Sequence, residues 1–450
     1  MNKLVFLAAS IFLISGSSFA NDKNVVNNND SNNEDDMPKF EISGSASVHS
    51  SFSNPDVKYH DNQKGTGRNG KKTEKDSSMT RFSAGDAEVV FAANGKLNNG
   101  WLYGAKISLN ANKGDTGVDK MYVTFARDNI GTLVFGNIKG PEALFLSSGQ
   151  QLLGGTTCLD GTVSHDIDFA TGTISPLYVQ GYTNKATKLG YYTPVFGGFQ
   201  FGFAITPDTK HIGHNDKDSR TGNSNLGNTA FTYLQGKDEK EKPSGRNNMS
   251  FGLKHEYKFN DNLSSKVSLI YLMEDTKPIN IKRYQDNTFY SDSKIKLRNA
   301  SSYHATASIT YKDFTVGCGY LNNGKSRLPK KSEYLSDDMI LGGFLTTKES
   351  NAGQAWNIGA RYIYGKWAFA TVFHRMERKV QAKEKTKGNA ICFTTDYTIV
   401  KGLKFFGEID YVNTKSSNKA CEMYNLVHDD KIAIKKQKTV LFVLGAKVSF

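Results

Sequence analysis

Apolar and polar residues alternate one by one through most of the chain beyond residue 38. In FEISGSASVHSSF, Phe40, Ile42, Ala46, Val48 and Phe52 share one face, and Glu41, Ser43, Ser45, Ser47 and His49 share the other. WLYGAKISLNAN sets Trp101, Tyr103, Ala105, Ile107 and Leu109 against Lys106, Ser108 and Asn110. GFQFGFAIT sets Phe199, Phe201, Phe203 and Ile205 against Gln200, Gly202 and Thr206, and NMSFGLKHEYKF repeats the pattern from Met249 to Phe259. A period of two with one polar face predicts strands. No stretch carries a convincing 3.6-residue period. The final segment, TVLFVLGAKVSF, alternates to its last residue, so Val440, Phe442, Leu444, Ala446, Val448 and Phe450 form one face of a terminal strand. Leu441 and Val443 point the other way, against the polar trend.

The connections have their own rhythm. Short segments at 97–100, 127–130, 195–198, 260–262, 312–313, 365–366 and 401–402 are rich in residues that tight hairpin turns need. They alternate with long polar segments at 53–79, 139–182, 207–247, 274–300, 322–353, 377–388 and 412–436, and with a shorter one at 113–118. Sixteen strands result, joined alternately by short and long connections. A soluble β-sandwich does not predict that alternation. A closed antiparallel barrel in a bilayer does: its outer face is apolar, its inner face wet, and every backbone polar group is paired. The expected fold class is therefore all-β, a sixteen-stranded antiparallel transmembrane β-barrel. Trp101, Phe199, Phe259, Phe314, Trp356, Tyr364, Trp367, Leu403 and Phe450 lie at or near strand ends, where interfacial girdles form.

Composition narrows this reading. Mean hydropathy is −0.49 and hydrophobic residues make up 38% of the chain, too few for helical spans. The one long apolar run, MNKLVFLAASIFLISGSSFA, has Lys3 ahead of an apolar core and Ser18-Phe19-Ala20 as a cleavage site, so residues 1–20 read as a secretory signal. Residues 21–38 are Asn-rich and acidic and read as a disordered leader, leaving 39–450 as the barrel. The net charge of +13 would suit nucleic acid, but the basic residues are dispersed and the chain is exported, so no nucleic-acid partner is expected. Cys158, Cys318, Cys392 and Cys421 are widely spaced with no zinc-type spacing; Cys158–Cys421 is the pairing considered, and the expectation is four free cysteines.

Three segments resemble the general bacterial porins, trimeric sixteen-stranded outer-membrane diffusion channels. KMYVTFARDNIGTLVFGN at 120–137 resembles their strand, turn and strand before the third loop. KLGYYTPVFGGFQFGFAI at 188–205 is similar to their Y-x-S-P-x-F-x-G-F hairpin, with Thr193 in place of Ser. The terminal strand resembles their assembly signal, which the resemblance assigns to Phe450. It also implies a homotrimer, contact with outer-membrane lipid and lipopolysaccharide, delivery by the barrel-assembly machinery, and passage of small hydrophilic solutes without a cofactor. The chain departs from the family pattern at Asn137, where an Arg is common, and in its short second loop.

The family fold implies that the third loop bends into the lumen and narrows it. The residues agree that this segment is special: between Gly140 and Asn184 there is no Lys or Arg, and the acids are Glu142, Asp160, Asp166 and Asp168. These are the candidate constriction acids. Strand parity points Lys106, Lys120, Lys188 and Lys254 inward as candidate basic wall residues. Arg81 joins them by resemblance, although its parity requires a bulge. Acids opposite bases would set a transverse field and an ion preference. The expected function is a passive pore, with a substrate-selective pore or a plugged, surface-binding barrel as alternatives.

Two chemical motifs are set aside. GYLNNGKS at 319–326 fits a phosphate-binding loop, but RLPKKSEYLSDD follows where a helix is required. SHDID at 164–168 could hold a cation, and Ser47 and His49 share a strand face, but neither forms a complete metal or catalytic set. No enzyme and no metal site is expected.

Overall fold

A computed structural model of the chain describes residues 38–450 apart from 60–77, 111–116, 161–168, 171–172, 175, 209–244, 278, 286–287, 329, 331–337, 342–343, 348, 381–383, 419 and 422–432. The expected signal at 1–20 and all of the expected leader except residue 38 lie outside the described residues.

Sixteen antiparallel strands close into one barrel. In chain order they are β1 (Lys39–Tyr59), β2 (Met79–Lys96), β3 (Leu102–Asn110), β4 (Gly117–Arg127), β5 (Gly131–Asn137), β6 (Thr187–Tyr192), β7 (Phe199–Asp208), β8 (Gly245–Lys258), β9 (Leu263–Thr276), β12 (Ala300–Tyr311), β13 (Phe314–Asn322), β16 (Gln354–Tyr364), β17 (Trp367–Lys379), β18 (Lys385–Val400), β19 (Leu403–Lys415) and β20 (Ile434–Ser449). The remaining strands form two hairpins inside long connections, β10 (Ile279–Gln285) with β11 (Thr288–Ile295) and β14 (Asp338–Leu341) with β15 (Phe344–Thr347). In the sequence both segments read as polar loops. Each of these strands is only four to eight residues long, too short for a period of two to stand out.

Closure comes from β1 pairing with β20 over Ser45↔Ser449 to Tyr59↔Ile434. Phe450 continues that seam: its N–H donates to the Gly44 carbonyl at 3.0 Å, and its own carbonyl accepts from Gly44 N–H at 2.9 Å. The terminal strand therefore leaves no open edge. The seven short turns lie at this end of the barrel and the long connections at the other, which makes the short-turn end periplasmic. Of the aromatic residues expected at strand ends, Trp101, Phe199, Phe259, Phe314, Tyr364 and Trp367 sit at the short-turn end, whereas Trp356 is near the loop end of β16.

Burial follows the alternation inside out, as a barrel in lipid requires. Phe40, Phe82, Leu269, Ile309, Phe405 and Leu444 are exposed on the outer wall, whereas Ser51, Ser108, Thr124, Ser250, Ser302 and Thr394 are buried inside. Among the described residues no helix is long and apolar enough to cross a membrane; strands do the crossing. One irregularity resolves the parity of Arg81. The β1–β2 register shifts between Ala46 and Val48, which partner Ala87 and Ala84, so β2 carries an extra residue there. The bulge puts Arg81 opposite inward Ser51 and Glu88 opposite inward Ser45.

Candidate functional site

The connection between β5 and β6, residues 138–186, folds into the barrel. It begins with a one-turn helix, Pro141–Leu144, continues through 3-10 turns at Gly149–Leu152 and Cys158–Asp160, and returns at Thr187. Irregular backbone at membrane depth survives only where protein or lumen water satisfies its polar groups. Here the inner wall supplies acceptors one strand after another. Ser147 N–H donates to Thr306 Oγ1 (3.0 Å), Gly154 N–H to Thr394 Oγ1 (3.0 Å), Gly155 N–H to Asp396 Oδ1 (3.0 Å) and Ala170 N–H to Thr414 Oγ1 (2.8 Å). Glu408 takes three bonds at 2.7 Å, from the Thr156 amide and hydroxyl through Oε2 and from the Cys158 amide through Oε1. On the return, Gln180 N–H donates to Asn323 Oδ1 (2.7 Å), and the Gly181 carbonyl accepts from Asn248 (2.8 Å).

The wall is also shaped for the loop. A Cβ on Gly252 would stand 2.6 Å from the Phe145 ring, and a Cβ on Gly319 would stand 2.7 Å from the Ser148 side chain. These glycines make sockets in the wall. Apolar packing follows the same track. Leu153, Cys158, Leu159 and Phe169 from the loop pack on an inward patch that includes Val372, Val412, Leu441 and Val443. Ile174 and Val179 pack with Leu272, Leu321 and Met376. The inward apolar residues Leu441 and Val443, which oppose the polar trend of the alternation, are thus the loop's docking surface. Burying the loop against them offsets its ordering entropy.

Cys158 is bonded to Cys392 on β18, which ties the tip of the loop to the wall. This corrects the expectation of free cysteines and the Cys158–Cys421 alternative. Cys421 is buried without a disulfide, and Cys318 is exposed on β13. Cys392 falls on an inward position of β18, and only the path of the loop brings Cys158 to it.

Opposite this docked sector lies a charged wall on β2, β3 and β4. Lys120 pairs with Glu88 at 3.0 Å and with Asp119 at 3.7 Å. Ser108 donates its hydroxyl to Glu88, and Lys106 lies half-buried on β3. Lys185, at the end of the loop, pairs with Asp119. Burial pulls the pKa of Lys185 down, and the Asp119 carboxylate works against that shift. The predicted basic wall is therefore mixed. Glu88 was missed because the bulge in β2 hides its inward parity from simple counting.

The sequence-predicted residues are placed unevenly. Arg81, Lys106 and Lys120 all face inward on this wall. Lys254 faces inward on β8, pairs with Glu256 at 3.2 Å and stands over the Phe145 ring at 5.2 Å. Lys188 is inward but only 1% exposed, with Nζ donating to the Asn184 carbonyl at 2.6 Å, so it braces the base of the loop and does not meet open water. Glu142 is likewise 1% exposed and accepts from Thr183 Oγ1 at 3.0 Å, joining the outgoing and returning arms of the loop. Both are corrections to a lumen-facing reading, and both follow from the loop folding onto its own stem. Asp160 closes the turn Cys158–Asp160, while Asp166 and Asp168 lie outside the described residues, as do SHDID and most of the second loop. Within GYLNNGKS, residues to Asn322 belong to β13, and a turn rather than a helix follows at 324–327, with Ser326 Oγ bonded to the Ser301 carbonyl at 3.0 Å.

Comparisons with known proteins agree with this architecture. Uncharacterised proteins of Rickettsia felis and Rickettsia prowazekii are 25% and 26% identical over 374 and 377 residues, each match covering 73% of this chain and 78% of the relative. Among solved structures, the outer-membrane expressed OmpT of Vibrio cholerae superimposes with a TM-score of 0.53 at 11% identity, covering 92% of this chain and 98% of that one. An anion-selective porin from Comamonas acidovorans gives 0.51 at 11% identity, covering 92% and 100%. At such identities the likeness concerns the fold alone. The sequence itself matches the Gram-negative porin family over residues 6–417. With that match, the closed sixteen-stranded barrel and its inward loop, the chain belongs to the Gram-negative porin family and is an outer-membrane porin channel.

Proposed function

We propose that this porin passes small hydrophilic solutes and ions by passive diffusion, along the sector of the lumen between the β1–β4 wall and the loop 138–186. The observation that carries this reading is the uneven docking of the loop: the anchors of its body lie on or beside β8–β20, and only its returning end, through Lys185 and Asp119, meets the charged wall on β2–β4. Arg81, Lys106 and Lys120, balanced in part by Glu88, set the charge on the wall side. Asp160, Asp166 and Asp168 set it on the loop side, since this stretch of the loop carries acids and no bases. Glu142 and Lys188 serve the loop's stem. Rings of opposed charge favour polar solutes and fix ion preference.

The working unit is a homotrimer, in keeping with the trimeric form recorded for OmpT of Vibrio cholerae. Residues 1–20 direct export and are removed. Phe450 acts as the recognition point for the assembly machinery, and outer-membrane lipid with lipopolysaccharide surrounds the barrel. The protein performs no catalysis and couples no energy source. Planar-bilayer recording of the purified protein tests the channel: discrete, stable conductance steps are expected, and a membrane that stays silent at saturating protein would refute conduction. Liposome swelling with sugars, amino acids and organic anions separates a general pore, which passes them by size, from a selective one.

A further inference from the structure

The covalent tie between the loop and β18 stands beside an acid that neither conduction nor docking uses. Asp410 on β19 is directly opposite Cys392 on β18, and both face inward. Asp410, Cys392 and Cys158 are all closed off from solvent. The wall around the two cysteines, with Val372, Val412, Leu441 and Val443, is the dry patch under the loop. Neither carboxylate oxygen of Asp410 has a hydrogen-bond partner among the described residues. The charged side chain beside it, Glu408 two residues earlier on the same strand face, is another acid. A buried carboxylate is costly unless a donor or a cation meets it. The Sγ atoms of Cys158 and Cys392 and a carboxylate oxygen of Asp410 all lie within 4.8 Å of one another. They come from three elements: the loop, β18 and β19.

Two thiolates and a carboxylate suit a borderline-soft divalent cation. We propose that Cys158, Cys392 and Asp410 bind a divalent cation of the zinc class when the disulfide is reduced. A dithiol reductant supplies two electrons and two protons, which leaves two thiols in the site and a disulfide in the reductant. The cation then displaces both thiol protons to solvent. The disulfide with ionised Asp410 carries one negative charge. Two thiolates, the carboxylate and a dication again sum to one negative charge, so insertion adds no net charge to the buried site. Tetrahedral zinc sets its sulfurs about 3.8 Å apart. The Cα atoms of the two cysteines are 6.2 Å apart, so the sulfurs reach that spacing by turning the side chains. Cys392 is fixed by strand pairing on both edges of β18. Glu408 fixes Cys158 without the covalent bond. It accepts from the Thr156 and Cys158 amides at 2.7 Å and so holds Thr157 and Cys158 at φ 65° and 53°, the left-handed region that side chains rarely adopt. Three protein ligands leave a fourth position for water. The ion would keep the loop tip on β18 and β19 once the covalent tie opens. The inference is independent of conduction, so either can fail alone.

The test uses the whole barrel in neutral detergent, in a Cys318→Ser/Cys421→Ser background that removes the other two thiols. Folding in the presence of dithiothreitol gives the reduced chain, thiol titration verifies two thiols, and the reductant is removed under argon. Zn²⁺ is then titrated against a chromophoric chelator, and Co²⁺ serves as the spectroscopic probe. The reduced protein should take up one Zn²⁺ per chain and the oxidised protein none. Co²⁺ should give sulfur-to-metal charge-transfer absorbance and the visible bands of a tetrahedral ion. Cys392→Ser should lose that absorbance. Asp410→Asn should weaken Zn²⁺ binding by at least about tenfold, and Asp313→Asn, at a short turn, should leave it unchanged. Heat-modifiable migration checks the folding of each variant. The Co²⁺ spectrum needs no substitution within the site, so it decides even where a variant fails to fold. A reduced protein without charge-transfer absorbance overturns the proposal. Equal Zn²⁺ uptake by the oxidised protein overturns it by placing the ion elsewhere. Undiminished affinity in folded Asp410→Asn overturns the three-ligand site.

Discussion

Two sectors of the inner wall follow the same alternation and carry opposite chemistry. On β17–β20 the inward positions include Val372, Val412, Leu441 and Val443, each at most 1% exposed, with Glu408 aimed at backbone amides of the loop. On β2–β4 they include Glu88, Lys106, Ser108 and Lys120, with the Lys120 and Glu88 side chains still 16% and 30% exposed. Inward parity therefore does not mean wet. An inward apolar residue in a barrel strand marks the footprint of whatever fills the lumen, and an inward charge marks either water or an anchor. Glu408 and Glu88 are both inward acids, but one is consumed by three loop bonds and the other by Lys120 and Ser108 beside the path.

The contrast can be broken most forcefully by putting a charge where the wall is dry. Leu441→Asp buries an unpaired carboxylate under the loop, and a loss of about 4 kcal/mol or more is expected. Heat-modifiable migration should show little folded barrel, whereas Ser45→Lys, opposite Glu88 on the wet sector, should fold normally.

A milder intervention leaves the barrel closed and loosens only the loop. Glu408→Gln weakens charge-assisted bonds to two amides and a hydroxyl, each worth about 2 kcal/mol before compensation. Combined with Cys158→Ser, it also removes the covalent tie to Cys392. Single-channel records should keep their mean conductance within about twofold and gain open-channel noise. Reductant added to the wild type should reproduce part of that noise. A quiet channel in the double variant would mean that the wall contacts do not hold the loop.

Charge removal separates the sectors by selectivity. Glu88→Gln leaves Lys106 and Lys120 less compensated, so the reversal potential in a salt gradient should move toward anions, and Lys120→Gln should move it the other way. Asp166→Asn/Asp168→Asn should shift it toward anions as well; an unchanged value would remove these acids from the constriction. The smallest effect is expected at Asp396→Asn. That carboxylate sits under the loop at 7% exposure, bonded to Gly155 and Lys404, so selectivity should stay within error of the wild type.

Much of the fold is legible in the sequence because strand pairing in a barrel is local. Each hairpin needs only its own alternation and turn, and the exceptions at Leu441 and Val443 already point to something apolar inside. Phe450 reads correctly as the end of a closing strand because the alternation runs unbroken to it. The site is less legible, since its geometry is set by partners far away in sequence. Nothing near Glu142 announces Thr183, and nothing near Cys158 announces Cys392, 234 residues on. The parity of Arg81 turns on one extra residue in β2, visible only in its register with β1.

The central claim is that water follows the β1–β4 wall and is excluded from the β17–β20 wall by the docked loop. The most direct measurement is block of single-channel current by a charged thiol reagent, in a Cys318→Ser/Cys421→Ser background that retains the Cys158–Cys392 bond. Ser45→Cys on the wet sector should be modified within seconds with stepwise loss of current, and Leu441→Cys should remain unmodified under the same exposure. Rapid block at Leu441→Cys with none at Ser45→Cys would place the path on the opposite wall and contradict the account.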